Sequence, residues 1–306
     1  MKIAVLGAGA MGCLYGGMLA EADNEVWLLD VWKEHVDAIN ETGLYIETSK
    51  GNKHIKNIRA AMKPSDIGVV DLVLVFVKST ITEIAIEQNK EIFGIDTIAL
   101  TLQNGLGNIE KIGSVIGKKN IIAGTTAHGS TMLGPGKIRH AGVGKTHIGE
   151  IDGSVSARIQ KIGKVFSDAS IATDISENVM GLVWGKLMVN IGINALTAIT
   201  GLKNGQLIDF KETEELLELA VAEAWHVAKI KGIQLPYDDP IAHTKEVCKA
   251  TAENRSSMLQ DVVNKRKTEI EMINGAIVRE GEVLGLDTPI NKVITNLIAV
   301  IQKKYS

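Results

Sequence analysis

The sequence predicts a doubly wound α/β domain followed by an all-helical domain. Short apolar strands alternate with helical segments through the first half of the 306-residue chain, as in a parallel sheet covered by helices. A glycine-rich turn joins the first strand to the first helix. After Asp174 the alternation stops, and helical periodicity continues to the end of the chain. We therefore expect one domain over residues 1–175 and a second over residues 176–306.

The composition is that of a soluble globular protein. Hydrophobic residues make up 45% of the chain and charged residues 23%, which allows a sizeable core. The formal net charge of -3 and the lack of a basic run argue against a nucleic-acid partner. Cys13 and Cys248 have neither metal nor redox spacing, and no two histidines have HxxxH spacing. We expect a cytoplasmic protein without a bound metal.

The N-terminus admits two interpretations. MKIAVLGAGAMGCLYGGMLA has one lysine followed by an apolar run, which is the pattern of a signal peptide. A single basic residue is a weak start for such a peptide, and the regularly placed glycines favour a folded segment. Since no other apolar stretch reaches the roughly 18 residues of a membrane span, we expect no membrane association.

The glycine turn has the spacing of a dinucleotide-binding fingerprint. KIAVL (2–6) and EVWLLD (25–30) are strand-like, and GAGAMG with the following helix lies between them. The first glycine permits the tight turn, the second lets the backbone approach a pyrophosphate, and the third lets the helix pack on the strand. The predicted cofactor-binding residues of the turn are Gly7, Ala8, Gly9, Ala10, Met11 and Gly12.

Asp30, at the end of the second strand, bears on the choice of cofactor. A carboxylate here accepts a hydrogen bond from the ribose 2′-hydroxyl of NAD and repels the 2′-phosphate of NADP. Val31 and Trp32 supply no arginine to offset it, and Lys33 is the only cation nearby. The sequence therefore favours NAD(H) over NADP(H).

Two polar residues end later strands of the predicted sheet. Lys78 ends DLVLVFVK and Asn104 ends TIALTLQN, and NIIAGTTA (120–127) supplies a further strand. In open α/β sheets the carboxyl edge of the strands is where ligands bind, so the two side chains together suggest a site. Residues 134–150 are expected to form two short antiparallel strands that close the sheet.

The first long helix of the second domain carries an unusual polar stripe. In WGKLMVNIGIN, residues Lys186, Asn190 and Asn194 advance by about 40° per step, so they share one helix face in an otherwise apolar sequence. Buried amides and a buried ammonium cost several kcal/mol unless something meets them. We interpret the helix, over residues 177–200, as a hinge whose stripe lines an interdomain cleft.

Later helix starts suggest further polar positions. TEIE offers a capping box, in which Thr268 would cap a helix and Glu271 would reach back to it. Glu269 would then lie in the first helical turn, where the helix dipole favours a carboxylate. Asn254 and Ser257 are equally ordinary residues for a helix start, so the residues alone leave their roles open.

The sequence resembles the ketopantoate reductases (2-dehydropantoate 2-reductases). The similarity runs along essentially the whole chain through GAGAMG, VFVKST, LQNGLGN, TTAHGSTMLGPGKIRHAGVGKTHIG, WGKLMVNIGINALTAITG and TAENRSSMLQDVVNKRKTEIEMINGAIVREG. The resemblance implies a Rossmann domain and a helical domain related to that of 6-phosphogluconate dehydrogenase. It also implies reduction of ketopantoate to (R)-pantoate, on the route to pantothenate and coenzyme A.

The resemblance assigns roles by position in these motifs. Lys186 resembles the catalytic general acid, and Glu269 the glutamate that orients the substrate and the hydrogen bonds of the site. Lys78 and Asn104 resemble the pair near the nicotinamide ribose and the reacting carbonyl. The residues that resemble the polar groups holding the substrate are Asn190, Asn194, Asn254 and Ser257.

The sequence departs from the family pattern at Asp30, where many of these reductases have an arginine that matches NADPH. Some members of the family are NAD-dependent D-2-hydroxyacid dehydrogenases of other branched or aromatic 2-keto acids, and this stays an alternative. A non-catalytic dinucleotide-binding module is a third hypothesis, disfavoured because the lysine and the glutamate are both present. In every enzyme hypothesis the partner is a small-molecule 2-keto acid, and the resemblance alone suggests a homodimer.

Overall fold

The computed structural model describes residues 1–305. These residues form two compact units. Unit 1 comprises Met1–Gln103 and Asn108–Val179, and unit 2 comprises Asn104–Gly107 and the chain from Met180 onward. The sequence places the division between residues 175 and 176, and it does not anticipate that the short segment Asn104–Gly107 packs with the helical unit.

Unit 1 is an α/β structure with two sheets. Its strands are β1 (Lys2–Leu6), β2 (Glu25–Leu29), β3 (Leu44–Glu47), β4 (Lys53–Ile55), β5 (Ile58–Ala61), β6 (Val70–Val75), β7 (Phe93–Thr101), β8 (Ile121–Thr126), β9 (Gly129–Gly134), β10 (Lys137–Gly142), β11 (Thr146–Glu150) and β12 (Thr173–Ile175). Its helices are α1 (Ala10–Glu21), α2 (Lys33–Thr42), α3 (Thr82–Gln88), α4 (Asn108–Ile116) and α5 (Ala157–Asp168). Short 3-10 turns lie at Pro64–Asp66, Lys90–Ile92 and Lys118–Asn120.

The larger sheet has the strand order β12-β11-β8-β7-β6-β1-β2-β5 within the described residues. β1 pairs in parallel with β2 on one side and with β6 on the other, so the carboxyl ends of these strands share one edge. β11 runs antiparallel to β8. The predicted doubly wound α/β fold is confirmed, with one antiparallel pair that makes the sheet mixed.

The prediction for residues 134–150 is wrong. β10 pairs with β9 and β3 in a second, four-stranded sheet of order β4-β3-β10-β9, and only β11 joins the larger sheet. β10 buries Ile138 in the apolar core that α1 shares, and this burial commits the strand to a sheet that covers α1. Local alternation of residues cannot reveal which of two sheets a strand will join.

Alternation along the central strands divides the core of unit 1 between the two faces of the larger sheet. Ile3 and Val5 of β1 lie in the cluster that also contains residues of α1 and α5. Ala4 and Leu6 lie in the cluster that contains residues of α3 and α4. A parallel strand covered on both faces is apolar at successive positions, as KIAVL is.

Unit 2 is helical, as predicted. Its helices are α6 (Val179–Thr200), α7 (Lys211–Ile230), α8 (Pro240–Ala250), α9 (Ser257–Val263), α10 (Asn274–Leu284) and α11 (Pro289–Lys303), with 3-10 turns at Gly205–Ile208 and Ile270–Met272. One core cluster takes side chains from α6 to α11 and also includes Leu106 of the short segment.

Helix α6 corrects the expectation that no apolar stretch beyond the N-terminus reaches membrane-span length. Among residues 1–305 it is the one helix long and apolar enough to cross a membrane by length and composition. However, 67% of its most apolar window is buried inside the protein. Leu187, Met188 and Ile191 lie in the core of unit 2, so packing in that core accounts for the apolar composition of the helix.

Candidate active site

The glycine turn lies at the carboxyl edge of the larger sheet, between β1 and α1. Gly7 has a φ of +98°, and a Cβ there would lie 2.6 Å from the Val77 backbone nitrogen. A Cβ at Gly12 would clash with the carbonyl oxygen of Gly7. The fold itself therefore requires glycine at these two positions, for the tight turn and for the close packing of α1 on the turn.

Gly9 is different, because a Cβ at this position would meet nothing within 4 Å. It is the N-cap residue of α1, and it offers no side chain to bond the first N–H groups of the helix. Such a helix N-terminus attracts anions, and a bare backbone lets a phosphate approach closely. The open space at Gly9 fits a bound dinucleotide.

Asp30 follows β2 and is joined to the glycine turn. One carboxylate oxygen accepts a hydrogen bond from the Ala8 N–H at 2.8 Å, and the other accepts one from the Trp32 N–H at 3.0 Å. These bonds fix the orientation of the carboxylate beside the turn. Since each carboxylate oxygen has two lone pairs, the group retains capacity for a ribose hydroxyl.

Lys78 and Asn104 belong to different units. Lys78 is an exposed residue of unit 1 that follows β6, and Asn104 follows β7 but belongs to unit 2. In unit 2 the segment is held by the Leu106 N–H, which donates to the Met272 carbonyl at 2.9 Å. Gly105 has a φ of +81°, and a Cβ there would clash with that same carbonyl. The sequence signal of a polar residue at a strand end could not reveal this packing.

The polar stripe of α6 is partly withdrawn from solvent. Lys186 and Asn190 are half-buried, and Asn194 is 6% exposed. The neighbouring faces of α6 are apolar and lie in the core of unit 2. Burial of polar side chains at such positions costs free energy unless they form hydrogen bonds.

Lys186 and Glu269 are brought together within unit 2. Burial lowers the pKa of Lys186 to about 8, and the negative charge of Glu269 opposes part of that shift. Glu269 is itself 8% exposed, so a carboxylate and an ammonium share a sparsely hydrated region. An ammonium with a near-neutral pKa can give up its proton readily, which is the property of a general acid.

The predicted capping box at Thr268 is wrong. The chain forms a 3-10 turn over Ile270–Met272 with Glu269 as its N-cap residue, and the α-helix begins only at Asn274. Glu271 does not reach back but lies 3.6 Å from Arg279. Thr268, Glu269 and Ile270 are buried in succession, so tertiary packing overrides the local capping signal.

The backbone that carries Glu269 is held by the last helix of unit 2. The Thr268 N–H donates to the side-chain oxygen of Gln302 in α11 at 2.6 Å. The Thr268 hydroxyl oxygen accepts from the Ile270 N–H at 3.3 Å. These bonds fix the backbone of the two residues on either side of Glu269. The contribution of Gln302 to this arrangement was not predicted from the sequence.

Ser257 is the exposed first residue of α9, and Asn254 is an exposed residue of the segment that precedes this helix. The N-cap of this helix is Ser256, whose hydroxyl accepts from the Leu259 N–H at 3.0 Å and bonds the Thr197 hydroxyl of α6 at 2.7 Å. Thr197 lies one helical turn beyond Asn194, so the bond joins the start of α9 to the end of the polar stripe.

Thr197 and Ser256 are polar residues that the sequence analysis missed. The available signal was a threonine three positions after Asn194 in an otherwise apolar helix, together with two adjacent serines of which only one can cap α9. Within residues 1–305, no group of three or more histidine, cysteine, aspartate or glutamate side chains could hold a metal ion.

Two family models match this chain, and both describe the same family. A family model described as Ketopantoate reductase PanE/ApbA matches residues 3–153. A second, described as Ketopantoate reductase PanE/ApbA C terminal, matches residues 178–302. Together they cover most of the α/β unit and most of the helical unit, and residues 154–177, which contain α5 and β12, lie between the two matches.

Two curated relatives carry the name 2-dehydropantoate 2-reductase. The protein from Halobacterium salinarum is 34% identical over 304 residues, which is 99% of this chain and 99% of its own length. The protein from Pyrococcus horikoshii is 35% identical over 301 residues, which is 97% of this chain and 96% of its own length.

Two solved structures are similar over the full length. A PanE/ApbA family ketopantoate reductase from Ralstonia eutropha JMP134 has a TM-score of 0.92 and 35% identity, with 100% of this chain and 99% of that chain covered. The ternary structure of D-mandelate dehydrogenase with NADH and anilino(oxo)acetate has a TM-score of 0.93 and 30% identity, with the same coverage.

Proposed function

The chain belongs to the ketopantoate reductase family, and on that premise we propose that it reduces 2-dehydropantoate (ketopantoate) to (R)-pantoate. A bound nicotinamide cofactor supplies the hydride, and the product feeds pantothenate and coenzyme A synthesis. The observation that carries the proposal is the pairing of Lys186, with a pKa lowered by burial to about 8, and the buried carboxylate of Glu269.

Lys186 is the general acid in this proposal. When the C2 ketone of the substrate is reduced, negative charge develops on its oxygen. An ammonium at that oxygen stabilises the charge and then delivers its proton to form the hydroxyl. A pKa of about 8 favours this step, because the group is largely protonated at neutral pH yet gives up its proton more readily than an ordinary lysine.

Glu269 and the polar groups of unit 2 position the reactants. The negative charge of Glu269 raises the pKa of Lys186 above the value that burial alone would give, and so keeps the lysine protonated in the resting enzyme. Side-chain amides and hydroxyls can donate to a substrate carboxylate and exchange hydrogen bonds with its hydroxyl group. The residues to which we assign substrate binding are Asn104, Asn190, Asn194, Asn254 and Ser257.

The residues of unit 1 fit a nicotinamide dinucleotide. We assign the turn Gly7–Gly12 to the pyrophosphate, Asp30 to the adenosine ribose and Lys78, with Asn104, to the nicotinamide side. Because the Ala8 and Trp32 N–H groups fix the Asp30 carboxylate, it can accept from a 2′-hydroxyl and would repel a 2′-phosphate. We therefore propose NAD(H) in preference to NADP(H).

The assay for this proposal follows NADH oxidation with 2-dehydropantoate and identifies the product by chiral chromatography. Formation of (R)-pantoate in step with NADH consumption is the expected result. Absence of turnover with either NADH or NADPH, in a protein shown by calorimetry to bind the cofactor, contradicts the proposed reaction.

One observation favours a second candidate function. The similar structure of D-mandelate dehydrogenase contains NADH, and in this chain Asp30 is suited to the same cofactor. The alternative is an NAD-dependent D-2-hydroxyacid dehydrogenase with the same lysine chemistry and another branched or aromatic 2-keto acid. A faster reaction with phenylglyoxylate than with 2-dehydropantoate would favour this alternative.

We also propose that the protein works in the cytoplasm as a homodimer. Val293, Leu297 and Val300 are exposed apolar residues of α11, and their spacing places them on one face of the helix. Exposed apolar residues on one helix face favour an interface, and a second copy of this chain is the occupant we propose. Sedimentation equilibrium should give twice the chain mass of 32.9 kDa, and a mass of one chain contradicts the dimer.

A further inference from the structure

Unit 1 buries a histidine that none of the roles above uses. His35, near the start of α2, is 0% exposed. Its Nδ1 accepts a hydrogen bond from the Gly136 N–H at 3.0 Å, in the turn between β9 and β10. Its Nε2 lies 3.3 Å from the Cys13 Sγ in α1. Because Nδ1 accepts, the ring proton is on Nε2 and points toward the sulfur. Both nitrogens are engaged, so the ring is fixed.

The contacts of His35 lead back to the glycine turn. Burial lowers the pKa of His35, which keeps the ring neutral at neutral pH. The His35 Nε2–H is directed at the Cys13 sulfur, and the Cys13 thiol donates to the Ala8 carbonyl at 3.2 Å. The N–H of Ala8 in turn donates to Asp30. A directed series of hydrogen bonds thus runs from the histidine to the carboxylate that we assign to the ribose.

Trp32 closes this series into a ring. Its indole stacks on the His35 imidazole, with ring centroids 5.0 Å apart and an interplanar angle of 8°. Its backbone N–H donates to the other oxygen of Asp30. Asp30, Ala8, Cys13, His35 and Trp32 therefore constrain one another, and the indole has a fixed position relative to the carboxylate.

The indole remains accessible although it is large and apolar. Trp32 is 39% exposed, and the adjacent Val31 is 84% exposed. An apolar pair directly after Asp30, the acid that we assign to the ribose, is a surface that a planar apolar group could cover. Adenine is attached to the ribose whose 2′-hydroxyl would donate to Asp30. A ribose held by Asp30 would therefore bring the base close to Val31 and Trp32.

We propose that Trp32 is the platform on which the adenine ring of the dinucleotide packs, and that His35 is the positioning residue that holds the platform. This inference rests on the proposed use of a nicotinamide dinucleotide. Stacking of a base on an aromatic side chain tolerates variation in the partner ring but needs a flat, fixed surface, and the His35 stack supplies that rigidity. Trp32 therefore adds binding to the adenosine half without touching the reacting atoms.

The experiment uses the full-length protein labelled with 5-fluorotryptophan, which gives a 19F signal for each of its four tryptophans. The Trp32 signal is the one that disappears in Trp32→Phe. AMP should shift that signal, whereas nicotinamide mononucleotide should leave it in place. A Trp32 signal that does not move at saturating AMP overturns the proposal.

Calorimetry with AMP and with NADH measures the contribution to affinity. Trp32→Ala should lower the affinity for both ligands roughly tenfold or more, and Trp32→Phe should retain most of that affinity. The matched control is Trp27→Phe, since Trp27 lies on β2 with its ring under Arg59 and outside the closed ring of contacts. Equal AMP affinity in Trp32→Ala and in the unmodified protein contradicts the platform.

His35→Asn tests the positioning role. The asparagine oxygen can accept the hydrogen bond that Nδ1 accepts, but the variant lacks the ring that stacks on Trp32. In this variant the Trp32 signal should broaden or shift without ligand, and the AMP affinity should fall while kcat stays unchanged. An unchanged Trp32 signal and AMP affinity contradict the role of His35. Failure of the proposed reaction appears separately, as AMP binding at Trp32 in a protein that does not reduce 2-dehydropantoate.

Discussion

Lys186 is an ammonium in surroundings that favour its neutral form. Burial moves its pKa from an ordinary lysine value to about 8, and the charge of Glu269 limits the shift. This residue could be identified from the sequence, because a single lysine in an apolar helix is conspicuous. Its pKa could not, since the shift depends on packing and on a glutamate that is distant in the chain.

In the proposed mechanism, the pKa of Lys186 sets the pH dependence of the reaction. The general acid must be protonated, so kcat/KM for ketone reduction should be flat below about pH 8 and fall tenfold per pH unit above it. Glu269→Gln removes the charge that raises this pKa, so the decline should begin at lower pH. Initial rates at saturating NADH over pH 5.5–10 measure both, and a decline that does not move in Glu269→Gln contradicts the assigned coupling.

Removal of the lysine should affect chemistry and spare cofactor binding. Lys186→Ala should lower kcat by roughly 100- to 10,000-fold, the usual contribution of a general acid, with an almost unchanged Kd for NADH. Stopped-flow rates and calorimetry provide the two quantities. Lys164→Ala, at an exposed lysine of α5, is the control and should keep full activity. A Lys186→Ala enzyme with normal turnover would exclude the lysine from the mechanism.

At the scale of elements, the glycine turn was predictable and the surroundings of Glu269 were not. The turn depends on local backbone geometry, so spacing in the sequence is enough to identify it. The 3-10 turn after Thr268 depends on the burial of three successive residues, which no local pattern records. The second sheet escaped prediction because it joins two strand pairs, β3–β4 and β9–β10, that are distant from each other in the chain.

The glycine turn offers a matched pair of variants. Gly9→Ala introduces a methyl group into open space, so the free energy of unfolding should stay the same while NADH binding weakens strongly. Gly12→Ala forces a clash with the Gly7 carbonyl, so the protein itself should be destabilised. Urea unfolding and calorimetry with NADH separate the two effects. Normal NADH affinity in Gly9→Ala would contradict the assignment of this turn to the pyrophosphate.

The two adjacent serines at the start of α9 offer a second matched pair, in which one substitution should lower stability and the other should weaken substrate binding. Ser256→Ala removes an N-cap and the partner of a buried threonine hydroxyl, so the free energy of unfolding should fall by about 1–2 kcal/mol. Ser257→Ala changes an exposed residue and should raise KM for the keto acid with no loss of stability. Urea unfolding and steady-state kinetics compare the two variants. A stability loss in Ser257→Ala, or none in Ser256→Ala, would reverse the assignment.

At the scale of the whole molecule, each unit has its own core, and in the proposed mechanism each supplies its own part of the chemistry. Unit 1 contributes a turn and a carboxylate suited to a dinucleotide, and unit 2 contributes the lysine, the glutamate and the amides suited to a keto acid. Periodicity was sufficient to predict both classes of structure. The packing of Asn104–Gly107 with unit 2 was beyond prediction, since it depends on a backbone hydrogen bond to Met272.

We propose that the keto acid site of unit 2 is built for a substrate with a hydroxymethyl group. The most direct measurement compares kcat/KM for 2-dehydropantoate and for 2-ketoisovalerate, which lacks the hydroxyl oxygen, each with NADH and with NADPH. A site that hydrogen-bonds a hydroxyl can reject the analogue by up to roughly 10,000-fold. We expect strong preference for 2-dehydropantoate with NADH. Equal or faster reduction of 2-ketoisovalerate would contradict the claim and identify a general D-2-hydroxyacid dehydrogenase.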